Sequence, residues 1–481
     1  MKNLSALFTD FYELTMAQGY WKKGINDTVV FDYFFRKQPF NGGFSVFAGL
    51  APLLEAISSL KFSEEDISYL RSLKVFEEDF LTLLKDFKFT GDIYSFEEGS
   101  VIFPQEPVLR VHANIIEAQI LEGIILNQLN FASLIATKTA RVLLASNMGN
   151  IMEFGLRRAQ GFDGSLSATR SAFIGGASST SNTLASKLYD MPVSGTMAHS
   201  WVMSFATEEE AFREFANLYP NHPVFLLDTY DTLKSGIKNA ITIGKELKEK
   251  GINFGVRLDS GDIAYLSKEV RKELDEAGLK EATISVSNEL TEEIISALIN
   301  EKTPIDSYGV GTHLVTGGSE SSFSGIYKLA ARKKKSTDQI IPTMKFSDNP
   351  SKTTIPGIKN VWRLYDREGF ARADIIALEN ETLESNKEYK YYHPMGDYRC
   401  FSFSANKVVL MLRQVMKNGE VISKTSNTKE EILKGKETLL SQLKTLDASY
   451  KRILNPHIYK VSMTENLKEL KFAYLRANQN E

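Results

Sequence analysis

Several short apolar runs in this chain end in clusters of charged, hydroxyl and glycine residues, the arrangement from which folded proteins build sites for chemistry. In VRLDSGD, Arg257, Asp259 and Asp262 crowd one turn with Ser260 and Gly261 between them. A cation and two carboxylates so close are costly in desolvation and self-repulsion unless they face a polar ligand. Arg257 and Asp259 are therefore read as ligand-facing, and Asp262 mainly as the cap of the next helix. In GTMAHSW, Thr196 is within reach of the pocket of His199. An imidazole can move protons or carry a phosphoryl group when its other nitrogen has an oriented partner. A lone histidine is more often structural, but its place directly after a short strand favours chemistry. Asp228 in LLDTYD is the carboxylate expected to orient it, while Asp231 fits the cap of the following helix.

Weaker signals repeat the pattern. In YGVGT, Gly309 and Gly311 leave backbone N–H groups bare for a phosphate, Thr312 adds a hydroxyl, and His313 reads as a surface residue. Asn288 and Glu289 in SVSNE suit ribose hydroxyls, with helix entry before Thr291 an equally good local explanation. In EFGLRR, Phe154 and Arg157 suit a flat anionic heteroaromatic ring by stacking and charge-assisted hydrogen bonding, although a core Phe and a surface Arg would look the same.

Those residues need elements that bring them together. From about residue 150 to 315, six units, NIMEFG, PVSGTMAHS, PVFLLDTYDT, NFGVRLDSGD, TISVSNE and SYGVGT, alternate with helical stretches. Leu266, Val270 and Leu274 share a face in one of these helices. Strands alternating with helices imply parallel pairing, and this many in series favour a closed or nearly closed α/β barrel over an open sheet. Around residues 90 to 112 the alternation predicts short antiparallel strands, followed by a long helical stretch. Beyond residue 330, the run Lys333 to Lys335 reads as a solvated loop, DNPSKTTIPGIKN as a surface excursion, and later alternating strands as a return to the β-rich module. KEEILKGKETLLSQLKTL predicts a charged amphipathic helix. The expected organisation is 1–125 as the first part of a β-rich domain, 126–340 as the barrel with the active site, and 341–481 as the segment returning to the β-rich domain.

Composition excludes some partners. At 481 residues the chain exceeds one ordinary core, and its net charge of −3, with both signs mixed, argues against nucleic acid or an anionic membrane as main partner. The single Cys400 suits a reducing compartment and is expected to be a packing residue. The amino end lacks a signal-peptide pattern and no run approaches transmembrane length, so a cytoplasmic location is expected.

Read in order, TDFYELTMAQGYW, EFGLRRAQG, STSNTLASKL, GTMAHSWVMSF, LLDTYDT, RLDSGD, GVGT and KTTIPGIKNVWRLY resemble the blocks of nicotinate phosphoribosyltransferases over essentially the whole chain. The similarity extends more weakly to nicotinamide and quinolinate phosphoribosyltransferases. The resemblance implies an irregular, incomplete TIM-like α/β barrel plus a β-rich α+β domain built from both terminal segments. It also implies a homodimer with a shared active site, the substrates nicotinate and phosphoribosyl pyrophosphate, and the first step of NAD salvage. ATP as co-substrate, Mg²⁺ and a phosphorylated histidine, His199 by position, belong to the same implication. Carried over by motif, Tyr12, Thr196 and Arg257 meet nicotinate, while Phe154 and Arg157 match ring-adjacent positions of the nicotinamide-using relatives. Gly309, Gly311 and Thr312 meet the phosphate of the phosphoribosyl group, and Arg36 in FFRKQPF meets the pyrophosphate. Asn288 remains the ribose candidate, whereas Glu289 departs from the aspartate many members carry. His199, Asp228 and Asp259 are the catalytic candidates, with no protein metal ligands expected. Rival readings are a nicotinamide phosphoribosyltransferase, a metal-dependent barrel hydrolase lacking the usual HxH or HExxH spacing, and a barrel that senses nucleotides without turnover.

Overall fold

In the computed structural model of the chain, residues 4–334, 337–347, 352–423 and 427–479 are described. Lys335 and residues 348–351 of the Pro-containing excursion lie outside them. The chain forms two compact units, one from Met1–Thr137 with Ser322–Glu481, the other from Lys138–Ser321.

The Lys138–Ser321 unit is built on a parallel sheet of six strands. Their order is Ser179–Thr180, Asn150–Glu153, Ser307–Val310, Thr283–Val286, Gly255–Leu258 and Val224–Leu226. Val256, Leu258, Ile284, Val286, Tyr308 and Val310 are all buried, as expected for strands covered on both faces by crossover helices. Register fixes which strand ends are neighbours: Arg257 lies beside Ser285 and Tyr308 beside Ile151. Helices return the chain between strands, and three of the entries are capped as the local sequence predicts or allows. Asp262 Oδ1 accepts from the backbone of Tyr265, Thr291 Oγ1 from that of Ile294, and Asp231 Oδ1 from those of Leu233 and Lys234. Val270 and Leu274 are fully buried on the inner face of Ile263–Glu276.

Five of the six expected strand units are strands; PVSGTMAHS is not. Only Val193 makes a bridge, to Thr180, and the strand at this edge is the short Ser179–Thr180. Pro192 O accepts from Thr180 N and Ser194 N donates to Thr180 O, but beyond Thr180 the neighbouring chain turns into helix Thr183–Tyr189, so pairing ends at Ser194 and the chain runs on irregularly to His199. His199 accordingly opens the short helix His199–Met203 rather than ending a strand. The edge strands Ser179–Thr180 and Val224–Leu226 do not pair with each other, which leaves the barrel incomplete.

The other unit carries a seven-stranded sheet that interleaves early strands, such as Thr28–Phe35 and Leu109–Asn114, with later ones, such as Gly325–Lys333 and Arg413–Lys417. A six-stranded mixed sheet comes from residues beyond 358. Asp92–Ser95 pairs antiparallel with Leu109–Asn114 as the alternation predicts. Helix Lys429–Thr445 matches the amphipathic prediction.

Three expectations are corrected. Lys333 ends the Gly325–Lys333 strand, where it faces Ile340 and pairs with Asp338 at 2.9 Å, instead of lying in a solvated loop. Cys400 is exposed, because in its strand Phe401 and Phe403 take the inner face and Cys400 and Ser402 the outer one. Finally, the helical run Ile115–Ala145 does have the length and apolar composition to cross a bilayer, but 72% of its apolar window is buried, as in a core helix.

Candidate active site

One cavity of about 350 Å³ opens at the carboxyl ends of the parallel strands. Ser181, Phe154, Gly309, Ser287, Arg257 and Leu226, one from or just beyond each of the six strands, all line it. In a flat sheet the outer two of six strands would stand about 24 Å apart, so a single cavity reaching both edges requires the sheet to curl. The gap in the curled sheet is spanned by residues 193–199. Ser194 N donates to Thr180 O at 2.8 Å at one edge, and His199 Nδ1 lies 3.1 Å from Thr229 Oγ1 beyond the other. The irregular segment thus closes what pairing leaves open, and places Thr196 and His199 on the cavity wall.

Arg257 is the most fully engaged group. Its Nε donates to Ser287 Oγ at 2.8 Å, Nη1 to Thr196 Oγ1 at 3.1 Å and Nη2 to Asp259 Oδ1 at 2.8 Å. Ser287 Oγ donates in turn to the same Asp259 oxygen. The guanidinium carbon lies 5.7 Å from the centre of the Phe154 ring, so an aromatic face and an anchored cation share one wall. That ring has room because residue 309 is glycine: a Cβ there would come within 2.6 Å of Phe154 Cδ2. Gly309 therefore lies within the Ser307–Val310 strand and makes space, while Gly311 opens the turn into Thr312. Arg157 and Arg158 sit exposed on the rim in the one-turn segment Leu156–Arg158 and form no ion pair among the described residues.

Of the residues predicted on the barrel, Phe154, Arg157, Thr196, His199, Arg257, Asp259, Asn288, Gly309, Gly311 and Thr312 all line this cavity. Arg257, His199 and Thr312 open onto one space rather than separate surfaces. Asp228 is not among the lining residues, and the expectation that it orients His199 is corrected: the partner is its neighbour Thr229. Asp228 Oδ2 instead accepts from Ser260, and its buried Oδ1 finds no partner among the described residues. His313 is not a loose surface residue but holds Glu289, Nε2 to Oε2, at 3.0 Å. Asn288 and Glu289 have positive φ of 78° and 20°, an uncommon backbone for non-glycine residues.

Sequence reasoning missed three polar residues. Glu153, fully buried, accepts from Gly155 N, from Thr169 Oγ1 at 2.8 Å and from Thr180 Oγ1 at 2.6 Å, and so fixes the turn that carries Phe154. A carboxylate inside an apolar run just before Phe–Gly was its only sequence signal. Ser287 and Thr229 are hydroxyls beside residues that were singled out.

Tyr12 and Arg36 belong to the other unit. Asp10 and Glu13 form a capping box at the start of helix Phe11–Lys22 and hold Tyr12 in its first turn, with its side chain about half exposed. Desolvation and then the Glu122 carboxylate push the Tyr12 hydroxyl up to about 12 and the buried Glu13 up to about 8. Arg36 follows strand Thr28–Phe35; desolvation lowers its pKa, and its buried Nε finds no partner among the described residues.

Comparison with known proteins shows the family. Residues 7–130 match the model of the nicotinate phosphoribosyltransferase N-terminal domain, and residues 358–471 that of the corresponding C-terminal domain. The chain is 39% identical over 464 residues to nicotinate phosphoribosyltransferase of Bacillus subtilis, covering 96% of this chain and 93% of that one. It is 35% identical over 523 residues to the Caenorhabditis elegans enzyme of the same name, covering 96% and 92%. The crystal structure of human nicotinic acid phosphoribosyltransferase superposes with a TM-score of 0.84 at 28% identity, covering 97% and 99%. Similarity of this extent over nearly the full length of each relative means that the chain belongs to the nicotinate phosphoribosyltransferase family.

Proposed function

We propose that this chain joins nicotinate to the ribose of phosphoribosyl pyrophosphate, releasing pyrophosphate and forming nicotinate mononucleotide, with ATP as co-substrate. The observation that carries the reading is the wall on which the anchored Arg257 meets the face of Phe154. A flat ring bearing a carboxylate fits an aromatic face with guanidinium N–H groups at its edge.

In the reaction the pyridine nitrogen attacks C1 of the ribose with its own lone pair while the bond from C1 to the pyrophosphate oxygen breaks. No base is needed, so the protein's work is positioning and charge stabilisation. Phe154 and Arg257 hold the ring, with Thr196 acting through Arg257 and Arg157 at the rim. Thr312, Gly309 and Gly311 lie on the side assigned to the phosphate of the phosphoribosyl group, and Asn288 on that of the ribose. Asp259 holds Arg257 in place. Arg36, with a buried donor lacking a partner, is suited to the pyrophosphate, and Tyr12 to the nicotinate; both serve a site shared between the subunits of a cytoplasmic homodimer.

Mg²⁺ fits as an ion carried mainly by the substrate phosphates. The described residues hold no group of three or more candidate ligands. When bound, the ion neutralises charge on the leaving pyrophosphate. With Nδ1 of His199 tied to Thr229, Nε2 is the ring nitrogen left to accept a phosphoryl group from ATP.

Incubating the protein with nicotinate, phosphoribosyl pyrophosphate, Mg²⁺ and ATP should yield nicotinate mononucleotide and pyrophosphate; absence of product, or faster use of nicotinamide, refutes the assignment. His199→Ala should retain slow transfer and lose stimulation by ATP. Full stimulation in that variant would show that another residue carries the coupling.

A further inference from the structure

We propose that Ser287 is a positioning residue that aims Arg257 at a carboxylate and so sets the preference for the acid over the amide of the pyridine ring. The proposal rests on the reading that Arg257 meets the ring's acid group.

Ser287 stands just past strand Thr283–Val286, beside the strand that carries Arg257, and its backbone is pinned by N to Leu258 O at 3.0 Å. Its side chain is almost wholly buried, with 3% exposure. The hydroxyl does two things at once: it accepts from Arg257 Nε at 2.8 Å and donates to Asp259 Oδ1. Asp259 Oδ1 also accepts from Arg257 Nη2 at 2.8 Å. These three contacts form a closed ring along one edge of the planar guanidinium, the edge made by Nε and one N–H of Nη2. Thr196 takes one N–H of Nη1. Of the five guanidinium N–H groups, one on Nη1 and one on Nη2 then remain for a ligand.

The consequence is chemical selectivity. Asp259 already balances the charge of Arg257, so attraction alone discriminates little between a charged and a neutral ring substituent. Geometry has to do it. Two fixed donors match a carboxylate, which offers two acceptor oxygens; an amide offers one acceptor and presents N–H groups to the second donor. Without the hydroxyl, Nε loses its acceptor and Asp259 loses a donor. The guanidinium is then held only through Asp259 and Thr196 and can tilt about its last side-chain bonds, and the match to two oxygens is lost. Because Ser287 acts through Arg257, binding of phosphoribosyl pyrophosphate should be indifferent to it.

The test is steady-state kinetics of the full-length protein with nicotinate and with nicotinamide, for wild type, Ser287→Ala and Arg257→Lys, together with thermal melts. For Ser287→Ala, a rise of about tenfold or more in the KM for nicotinate is expected, since a buried donor is left unpaired. The acid-to-amide ratio of kcat/KM should fall by a similar factor, with kcat and the KM for phosphoribosyl pyrophosphate nearly unchanged. Equal losses for every substrate would mark a structural role and overturn the proposal. An unchanged ratio in Ser287→Ala with a collapsed ratio in Arg257→Lys would also overturn it while sparing the reading of Arg257. An unchanged ratio in Arg257→Lys would instead remove the reading beneath it. Should the alanine variant not fold, Ser287→Cys keeps the volume but is a poor hydrogen-bond partner; the same fall in the ratio is expected, and wild-type selectivity would refute the role.

Discussion

Two arginine positions on the same cavity are built in opposite ways. Arg257 is only 15% exposed and commits three N–H groups to Ser287, Thr196 and Asp259 before any ligand arrives. Arg157 and Arg158 stand exposed on the rim with no ion pair among the described residues. An anchored guanidinium has lost its freedom during folding, so it reads shape at little further cost in entropy. An exposed one offers charge to any anion nearby and is screened by salt. The contrast divides recognition into a selective wall and an attractive rim.

The sharpest way to break this division is Arg257→Lys. An ammonium cannot satisfy three partners in a plane, and Asp259 and Ser287 would compete with the ligand for it. A loss of about 100-fold in kcat/KM for nicotinate is expected, by the size of a broken buried charge-assisted pair, and it should hardly change between low and high salt. A loss that disappears at high salt would mean that Arg257, too, acts only through charge.

The double variant Arg157→Ala with Arg158→Ala should behave in the reverse manner. Roughly a tenfold rise in the KM of the anionic substrates is expected at low ionic strength, shrinking as salt shortens the screening length to about 8 Å at physiological strength. Equal effects at all salt concentrations would place one of these arginines in a fixed contact.

How far the two regions were legible in the sequence follows the same division. Arg257, Asp259, Phe154 and Thr312 end apolar runs, and a parallel strand delivers whatever follows it to one face of the sheet, so their convergence was foreseeable. Residues 193–199 were not, because their pairing ends where the partner strand turns into a helix after Thr180, and the path across the gap depends on which edges the barrel leaves open. The choice of Thr229 over Asp228 as partner of His199 is a matter of which way two adjacent side chains point, which no local pattern specifies. Glu153 is held by Thr169 and Thr180, 16 and 27 residues away, so its role exists only once the chain has folded. Gly309 had a plausible local reading as a bare turn, and packing shows another use, room for the Phe154 ring. Gly309→Ala tests this by pushing the ring toward the cavity. A stability loss of about 1–3 kcal/mol is expected from overpacking, with roughly a fivefold higher KM for nicotinate. A normal KM would separate Phe154 from ligand binding.

Thr196→Val sharpens the comparison at its finest point. The substitution nearly preserves shape and removes the acceptor for Arg257 Nη1 together with a donor to Met197 O, while the ring of contacts through Ser287 and Asp259 remains. If that ring alone fixes the guanidinium, the freed N–H meets water or ligand in the cavity, and the KM for nicotinate should rise by only about threefold, the scale of one modest hydrogen bond. That places Thr196 as a trim on an arginine already held from its other edge. A rise well beyond tenfold would say that the hydroxyl meets the substrate itself, and that the irregular segment closing the barrel contributes to recognition directly rather than through Arg257.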